Sequence, residues 1–484
     1  MLIRQLALVL LLSLMLAACA TPAASGTATA TPAASAPSDP PTVAPEPTHA
    51  PIQAAPTTSA PTHVPAAAPT QPPAPTSAPT HAPAPPTIAA SPAAVPAAPP
   101  TATQAPSPAP SAGGELLFLR VGELWAFSIA TGKVRKIAPG ILDFAASPDG
   151  AHIALIRGEG LRSELWIVRR DGGDFTQLTH NNRAEAIPSW ASDSTTLVFA
   201  SSGSDKSYVR EWPSWSAWCA ASEVHLLNLA DSTETSLAAG CDPVFSPDGK
   251  RIAFATPPTK FEPELNNGPM IVNSIRLINR QGQNGWDFAK AAGAEAPAPN
   301  TGRLVYAPAW SPDGKQLVYQ RFLGYQALVD IDLSEIAGSF EGHGKPLADG
   351  AGWLLPARFA PGGRALAITE NNYSDARGFG GYDNWSARVI LLEGEHEIAL
   401  PSGTIKAVGQ QIDRLPRGQS VVWSPDGAML AVELPPGWRP DLPPDEPLQV
   451  DERPGEVWLW TPGQQPAQKL LDGVDFASPL AWLP

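Results

Sequence analysis

One turn recurs along this chain and constrains its fold more than any other feature: two short apolar strands joined by Ser-Pro-Asp-Gly or a close variant. It reads FAASPDGAHIAL at 144–155, PSWASDSTTLVF at 188–199, PVFSPDGKRIAF at 243–254, PAWSPDGKQLVY at 308–319, ARFAPGGRALAI at 357–368 and VVWSPDGAMLAV at 421–432. Pro presets φ at the second turn position, Ser suits the first and Gly the fourth, so each copy predicts a tight β-hairpin. The residue before the turn is Trp190, Phe245, Trp310, Phe359 or Trp423, with Ala146 the small exception. Repeats of roughly 45–65 residues are the size of four-stranded propeller blades.

A second series lies between these copies: ELWAFSI (123–129), ELWIVRR (164–170), EVHLLNL (223–229), SIRLINR (274–280), ALVDIDL (327–333), ARVILLE (387–393) and EVWLWTP (456–462). It has one member more than the turn series. The extra member comes first, preceded by ELLFLRV (115–121), as in a blade that has lost its opening strand. SPLAWLP at 478–484 matches the opening strand, with Trp482 at the aromatic position. The expectation is an all-β, seven-bladed propeller, rather than six or eight blades, closed by pairing the C-terminal strand with the N-terminal blade. Trp125, Trp166, Trp310, Trp423, Trp458 and Trp482 then fill the wedges between blades.

These repeats resemble the TolB-type propeller repeat, a WD-like blade with a Trp-Ser-Pro-Asp-Gly signature. QLTHNNRAEAIPSWASDS (177–194) also resembles that family's Leu-Thr strand end leading into the next turn. The resemblance covers 114–484 and implies the fold. Ala191-Ser192-Asp193-Ser194 lacks Pro and Gly, and Ala360-Pro361-Gly362-Gly363 lacks Asp. The TolB propeller has six blades and a separate N-terminal domain, so its cellular role does not transfer.

The start, MLIRQLALVLLLSLMLAACA, places Arg4 before an apolar run and then small residues, as in a secretory signal. Leu16-Ala17-Ala18-Cys19 resembles the bacterial lipobox. That resemblance implies a signal peptide at 1–18 and lipidation of Cys19, with more than one acyl chain needed for stable anchoring. Residues 19–113 are almost entirely Ala, Pro, Thr and Ser, too poor in apolar bulk to offset chain entropy. They are expected to be a disordered spacer of polyproline II character, reaching up to ~290 Å at ~3.1 Å per residue. His49, His63 and His81 are too dispersed on it for a metal tract. The formal charge is −14, and no basic cluster occurs, which argues against nucleic acid as a partner.

In a blade the strands run from the channel outward, so connections after the second and fourth strands share one rim. The long connections 201–222, 256–273, 371–386 and 434–455 all follow second strands. They carry Trp212, Trp215, Trp218, Tyr373, Phe379, Tyr382, Trp385 and Trp438. Aromatic rings beside Gly and Asn form recognition surfaces at low entropic cost, and they also stack on sugars. Packing of the rings on one another is the competing account. Cys219 and Cys241 are expected to form a disulfide that pins the first insertion, contributing about 3 kcal/mol through loop entropy. The Asp residues of the turns bond their own backbone more readily than they form a calcium ring.

Catalytic signatures are absent: there is no Gly-x-Ser-x-Gly elbow, His-Glu-x-x-His, phosphate loop or Cys-x-x-Cys pair. No cofactor or metal is implied. His396, between Glu395 and Glu397, reads as a solvent-facing strand residue. Asn181-Asn182-Arg183-Ala184-Glu185 and Asp242 fall near the expected channel mouth. The reading is a lipid-anchored module in the bacterial cell envelope, binding an envelope or extracellular protein or glycan through the insertion-rich face. A hydrolase or lyase acting on polysaccharide is the alternative, and a ligand-free envelope scaffold is a third.

Overall fold

The computed structural model describes residues 113–205, 208, 212–265, 268–290, 304–322, 327–333, 345–350, 355–371, 385–400, 403–443 and 453–484. Residues 1–112, which include the expected signal segment, Cys19 and nearly all of the expected spacer, lie outside the described residues. Among the described residues the strands form seven four-stranded antiparallel sheets and a separate two-stranded ribbon (Thr259–Leu265 and Gly268–Val272). Sheet 1 holds Glu115–Arg120, Glu123–Ser128, Val134–Pro139 and Ala481–Leu483. Sheets 2 to 7 follow in chain order, with first strands Ile141–Ala146, Ala184–Trp190, Cys241–Phe245, Leu304–Trp310, Arg358–Phe359 and Val421–Trp423.

One edge strand of every sheet reaches a common cavity of about 510 Å³, to which Ala145, Pro188, Pro243, Pro308, Arg358, Val422 and Ala481 each contribute. Sheets arranged with one edge inward around a shared channel form an all-β propeller. Two features of the sequence produce this packing. First, successive residues of a strand face opposite sides. In Glu115–Arg120, Leu116 and Phe118 pack toward sheet 7, while Leu117 and Leu119 pack toward sheet 2. A strand covered on both faces must be apolar throughout, which is why ELLFLR shows no polar alternation.

Second, the aromatic residue before each turn fills the space between neighbours. Trp190, Trp310, Trp423 and Trp482 are all buried. Trp190 Nε1 donates to Ala145 O, and Trp423 Nε1 to Arg358 O, each at 2.9 Å and each reaching the preceding sheet. Trp125 and Trp166 are only half-buried and lie under the guanidinium groups of Arg120 and Arg157. Seven apolar clusters result. One joins sheet 7 to sheet 1 through Val457, Leu471, Phe118 and Trp482.

The Ser-Pro-Asp-Gly turns explain themselves. Ser311 Oγ donates to Asp313 Oδ1 at 2.7 Å, which also accepts the Lys315 N–H at 3.1 Å. Gly314 closes the turn at φ 69°, where a side chain would be strained. The same bonds recur around Asp149, Asp248 and Asp426. The Ser hydroxyl, then the backbone N–H, holds the carboxyls of Asp149, Asp313 and Asp426 below the usual carboxylate range. A depressed folded-state value gives stability that is present above the ordinary Asp pKa and lost as pH falls through the folded one. Replacing Asp313 and Asp426 by Asn is therefore expected to flatten the loss of stability below about pH 4. Urea titrations at pH 2.5 and pH 5 check this; an unchanged acid slope would refute it.

The inner strands share a second irregularity. Ile187, Asp242 and Ala307 adopt φ of 55°, 51° and 50°, each directly before a Pro. Each sits at a register shift in its strand. This is a β-bulge with a left-handed residue, costly for β-branched Ile. The Pro that follows removes an N–H from the inner edge, as befits an edge strand.

Candidate functional rim

The long connections follow the second strand in four sheets. They lie between Thr196–Ser202 and Ser222–Asn228, Arg251–Ala255 and Ser274–Asn279, Ala365–Asn371 and Trp385–Leu400, and Leu430–Leu434 and Gly455–Thr461. Alternating strand direction brings all four to one rim, opposite the Ser-Pro-Asp-Gly turns. Two of the connections are regular rather than loop-like. The first contains a helix, Trp212–Ala220, and the second is the ribbon Thr259–Val272.

The helix starts with Pro213 in its first turn, where the missing N–H costs nothing. It places Trp215, Trp218 and Cys219 at i, i+3 and i+4 on one face, and all three are buried. Trp215 packs against Tyr306 at 5.5 Å between centroids, and Tyr208 meets Trp218 edge-on at 5.1 Å. Cys219 and Cys241 form a disulfide with Cα atoms 5.3 Å apart. The next residue, Asp242, is 5 % exposed and accepts from Trp215 Nε1 at 3.3 Å, Tyr208 Oη at 3.5 Å and the Ala307 N–H at 3.1 Å. Its left-handed backbone turns the carboxylate back under the helix, so Asp242 ties the insertion of sheet 3 to sheets 4 and 5.

Four of the eight rings expected to form a recognition surface are buried instead. Trp215 and Trp218 belong to the core beneath the helix. Trp385 is 2 % exposed at the start of its strand. Trp438 is 7 % exposed and lies edge-on to Trp458 at 4.9 Å. Each ring brings more apolar area than a rim exposes freely, and it stabilises its own insertion by burying that area. Trp212 opens the helix. Tyr373, Phe379 and Tyr382 lie outside the described residues. His396 is half-buried, not solvent-facing, and its Nδ1 donates to Gly409 O at 2.8 Å across a long hairpin.

The segment around Asn181 forms a cluster that no motif announced. Glu185, 1 % exposed, accepts from the Leu165 N–H at 2.8 Å and from Asn181 Nδ2 at 2.7 Å. Glu164, 8 % exposed, accepts the Asn181 N–H at 3.0 Å. Both approach Thr179 Oγ1, which lies 2.7 Å from Glu164 Oε2 and 2.5 Å from Glu185 Oε2. Burial, opposed by the bonds from Thr179 and Asn181 and reinforced by Glu164, pushes the Glu185 carboxyl up to about 7. Arg183 turns away to Ser201, with Nε 2.9 Å from its Oγ. Among the described residues no group of three His, Cys, Asp or Glu gathers as metal ligands, and no helix is long and apolar enough to cross a membrane.

No family model and no curated protein matches this chain. Solved structures do. TolB from Acinetobacter baumannii is 13% identical over 77% of this chain and 80% of that one, with a TM-score of 0.36. Oligogalacturonate lyase from Vibrio parahaemolyticus is 12% identical over 64% of this chain and 80% of that one, with a TM-score of 0.43. A functionally unknown protein from Desulfotomaculum acetoxidans is 10% identical, covering 76% of this chain and 98% of that one, with a TM-score of 0.44. The fold of this chain rests on its own sheets.

Proposed function

We propose that this chain is a lipid-anchored, extracytoplasmic binding module, a seven-bladed ring carried on a spacer, that recognises a protein or glycan through its insertion-bearing rim. The asymmetry between the two rims carries the reading. One rim has short, self-bonded turns; the other gathers four insertions, the first tied down by Cys219–Cys241 and Asp242. A rim ordered before it meets its ligand loses less entropy on binding. The pairing of Leu116 with Trp482, and the apolar cluster between sheets 7 and 1, support closure of seven sheets into one ring. The sequence segment ending in Cys19 supports the anchor.

Chemistry on polysaccharide would need a reachable acid or base. Glu164 and Glu185 are committed to internal hydrogen bonds and do not offer one. The test immobilises the full chain and exposes it to envelope extract and a glycan panel. Beside it stands a variant with the ribbon Thr259–Val272 replaced by a short Gly-Ser turn. A control variant reverses the charge of Lys250 and Lys315, exposed on the opposite rim. Specific capture is expected for the full chain and the control, with at least a tenfold loss in the ribbon variant. Equal capture by all three, or capture by none, would refute the rim as the binding face.

A further inference from the structure

We propose that Glu164 and Glu185 share a single proton through the Thr179 hydroxyl, and that this proton clasps sheet 2 to sheet 3 at the insertion-bearing rim. Proton counting carries the inference. Thr179 Oγ1 accepts the Leu165 N–H at 2.9 Å and lies within hydrogen-bond distance of an oxygen from each carboxyl. A hydroxyl has one hydrogen to give, so it satisfies one carboxylate. The second short contact exists only if the other carboxyl brings a hydrogen of its own. With both ionised, one buried oxygen would face the hydroxyl's lone pairs, and two like charges would share a space closed to water.

Glu185 is placed to carry that hydrogen. Its Oε1 accepts from Asn181 Nδ2, which leaves Oε2 to donate to Thr179 Oγ1, whose own hydrogen then goes to Glu164 Oε2. Glu164 Oε1 already accepts the Asn181 N–H, and the Leu165 N–H is shared between Thr179 Oγ1 and Glu185 Oε2. The charged and titratable groups near the pair come from each packed element. Arg162 is exposed on the turn before Glu164, His180 is exposed beside Thr179, and Arg183 is bonded to Ser201. Glu223 and His225 lie on the third strand of sheet 3, where His225 meets Glu234. Hydrogen bonds to the pair come from Thr179, Asn181 and the Leu165 backbone.

The consequence is mechanical. The outer strand of sheet 2 is only Thr176–Gln177, and the chain beyond it is held by Leu178 and Thr179 N–H bonds to Leu165 O and by the two carboxyls. When pH rises through about 7 the proton leaves to solvent, the pair repels, and this connection loosens. The sign follows: a carboxyl raised in the folded state takes up a proton on folding, so stability is full below the unfolded value near 4.5 and lost as pH rises toward 7. The inference is independent of what the rim binds.

Glu185→Gln tests it on the full chain. The Gln amide nitrogen donates permanently to Thr179 Oγ1 while Oε1 still accepts from Asn181, so the clasp closes without a titrating proton. Between pH 5 and pH 7.5 the wild-type ratio of folded to unfolded chain is expected to fall roughly sixtyfold beyond any fall in E185Q. Parallel pH profiles would overturn the proposal. Infrared spectroscopy of the wild type gives a second reading. A protonated-carboxyl C=O band present at pH 6 and lost by pH 8.5 supports the shared proton, whereas its absence at pH 6 overturns it even if E185Q does not fold.

Discussion

Deleting residues 477–484 is expected to yield a chain that does not accumulate as a soluble propeller. The deletion removes the strand Ala481–Leu483, whose Leu483, Trp482 and Ala481 pair with Glu115, Leu116 and Leu117. It also empties the space that Leu480, Trp482 and Leu483 occupy at 6, 8 and 3 % exposure. Ser478 Oγ, which accepts the Leu119 N–H at 2.8 Å, is lost as well. Three large apolar side chains at ~2 kcal/mol each come to about 6 kcal/mol before any hydrogen bond is counted, within the ~5–15 kcal/mol that holds a typical domain together. The measurement is soluble yield and thermal unfolding, with a synthetic 477–484 peptide added to the truncated chain. Recovery by the peptide is expected; truncation that shifts the melting temperature by less than about 3 °C would exclude the strand as a closing element.

Trp215→Ala is expected to cost about 3–5 kcal/mol, the range for emptying a buried Trp site. The ring is fully buried, lies tilted against Tyr306 and gives Asp242 one of its hydrogen bonds. The cavity would open between the helix and sheets 4 and 5, and the Cys219–Cys241 bond limits how far the helix can shift to refill it. Trp215→Phe keeps much of the volume and loses the Nε1 donor, so about 1–2 kcal/mol is expected. Urea unfolding of both variants, with the disulfide intact, gives the comparison. A loss below about 1 kcal/mol for the Ala variant would mean that the helix is not anchored by this ring.

The propeller was legible because its repeat is written in residues whose chemistry leaves little choice. Ser311 to Gly314 bond within their own turn, and Trp310 before them has one wedge to fill. Such local rules survive any context. The rim was less legible. Three Trp around Pro213 read as an irregular recognition loop, yet the 215, 218, 219 spacing was already that of a buried helical face. Trp385 and Trp438 looked available because the sequence shows that a ring lies beside an insertion, not which way it packs. Of the Glu164–Thr179–Glu185 cluster, only the Asn181–Glu185 segment stood out, by its place near the expected channel mouth, and nothing tied it to Glu164 or Thr179. The cluster's members lie on two sheets and a connection, and only the fold brings them together.

The bond from Leu119 to Ser478 spans 359 residues of chain. A ribosome makes six sheets before the first one acquires its inner strand, and until then sheet 1 presents an unpaired edge beside unfilled apolar clefts. Pairing of sheet 1 thus waits until residues 481–483 have been made, and a chain interrupted before them keeps a sticky, protease-sensitive flank that this strand otherwise hides.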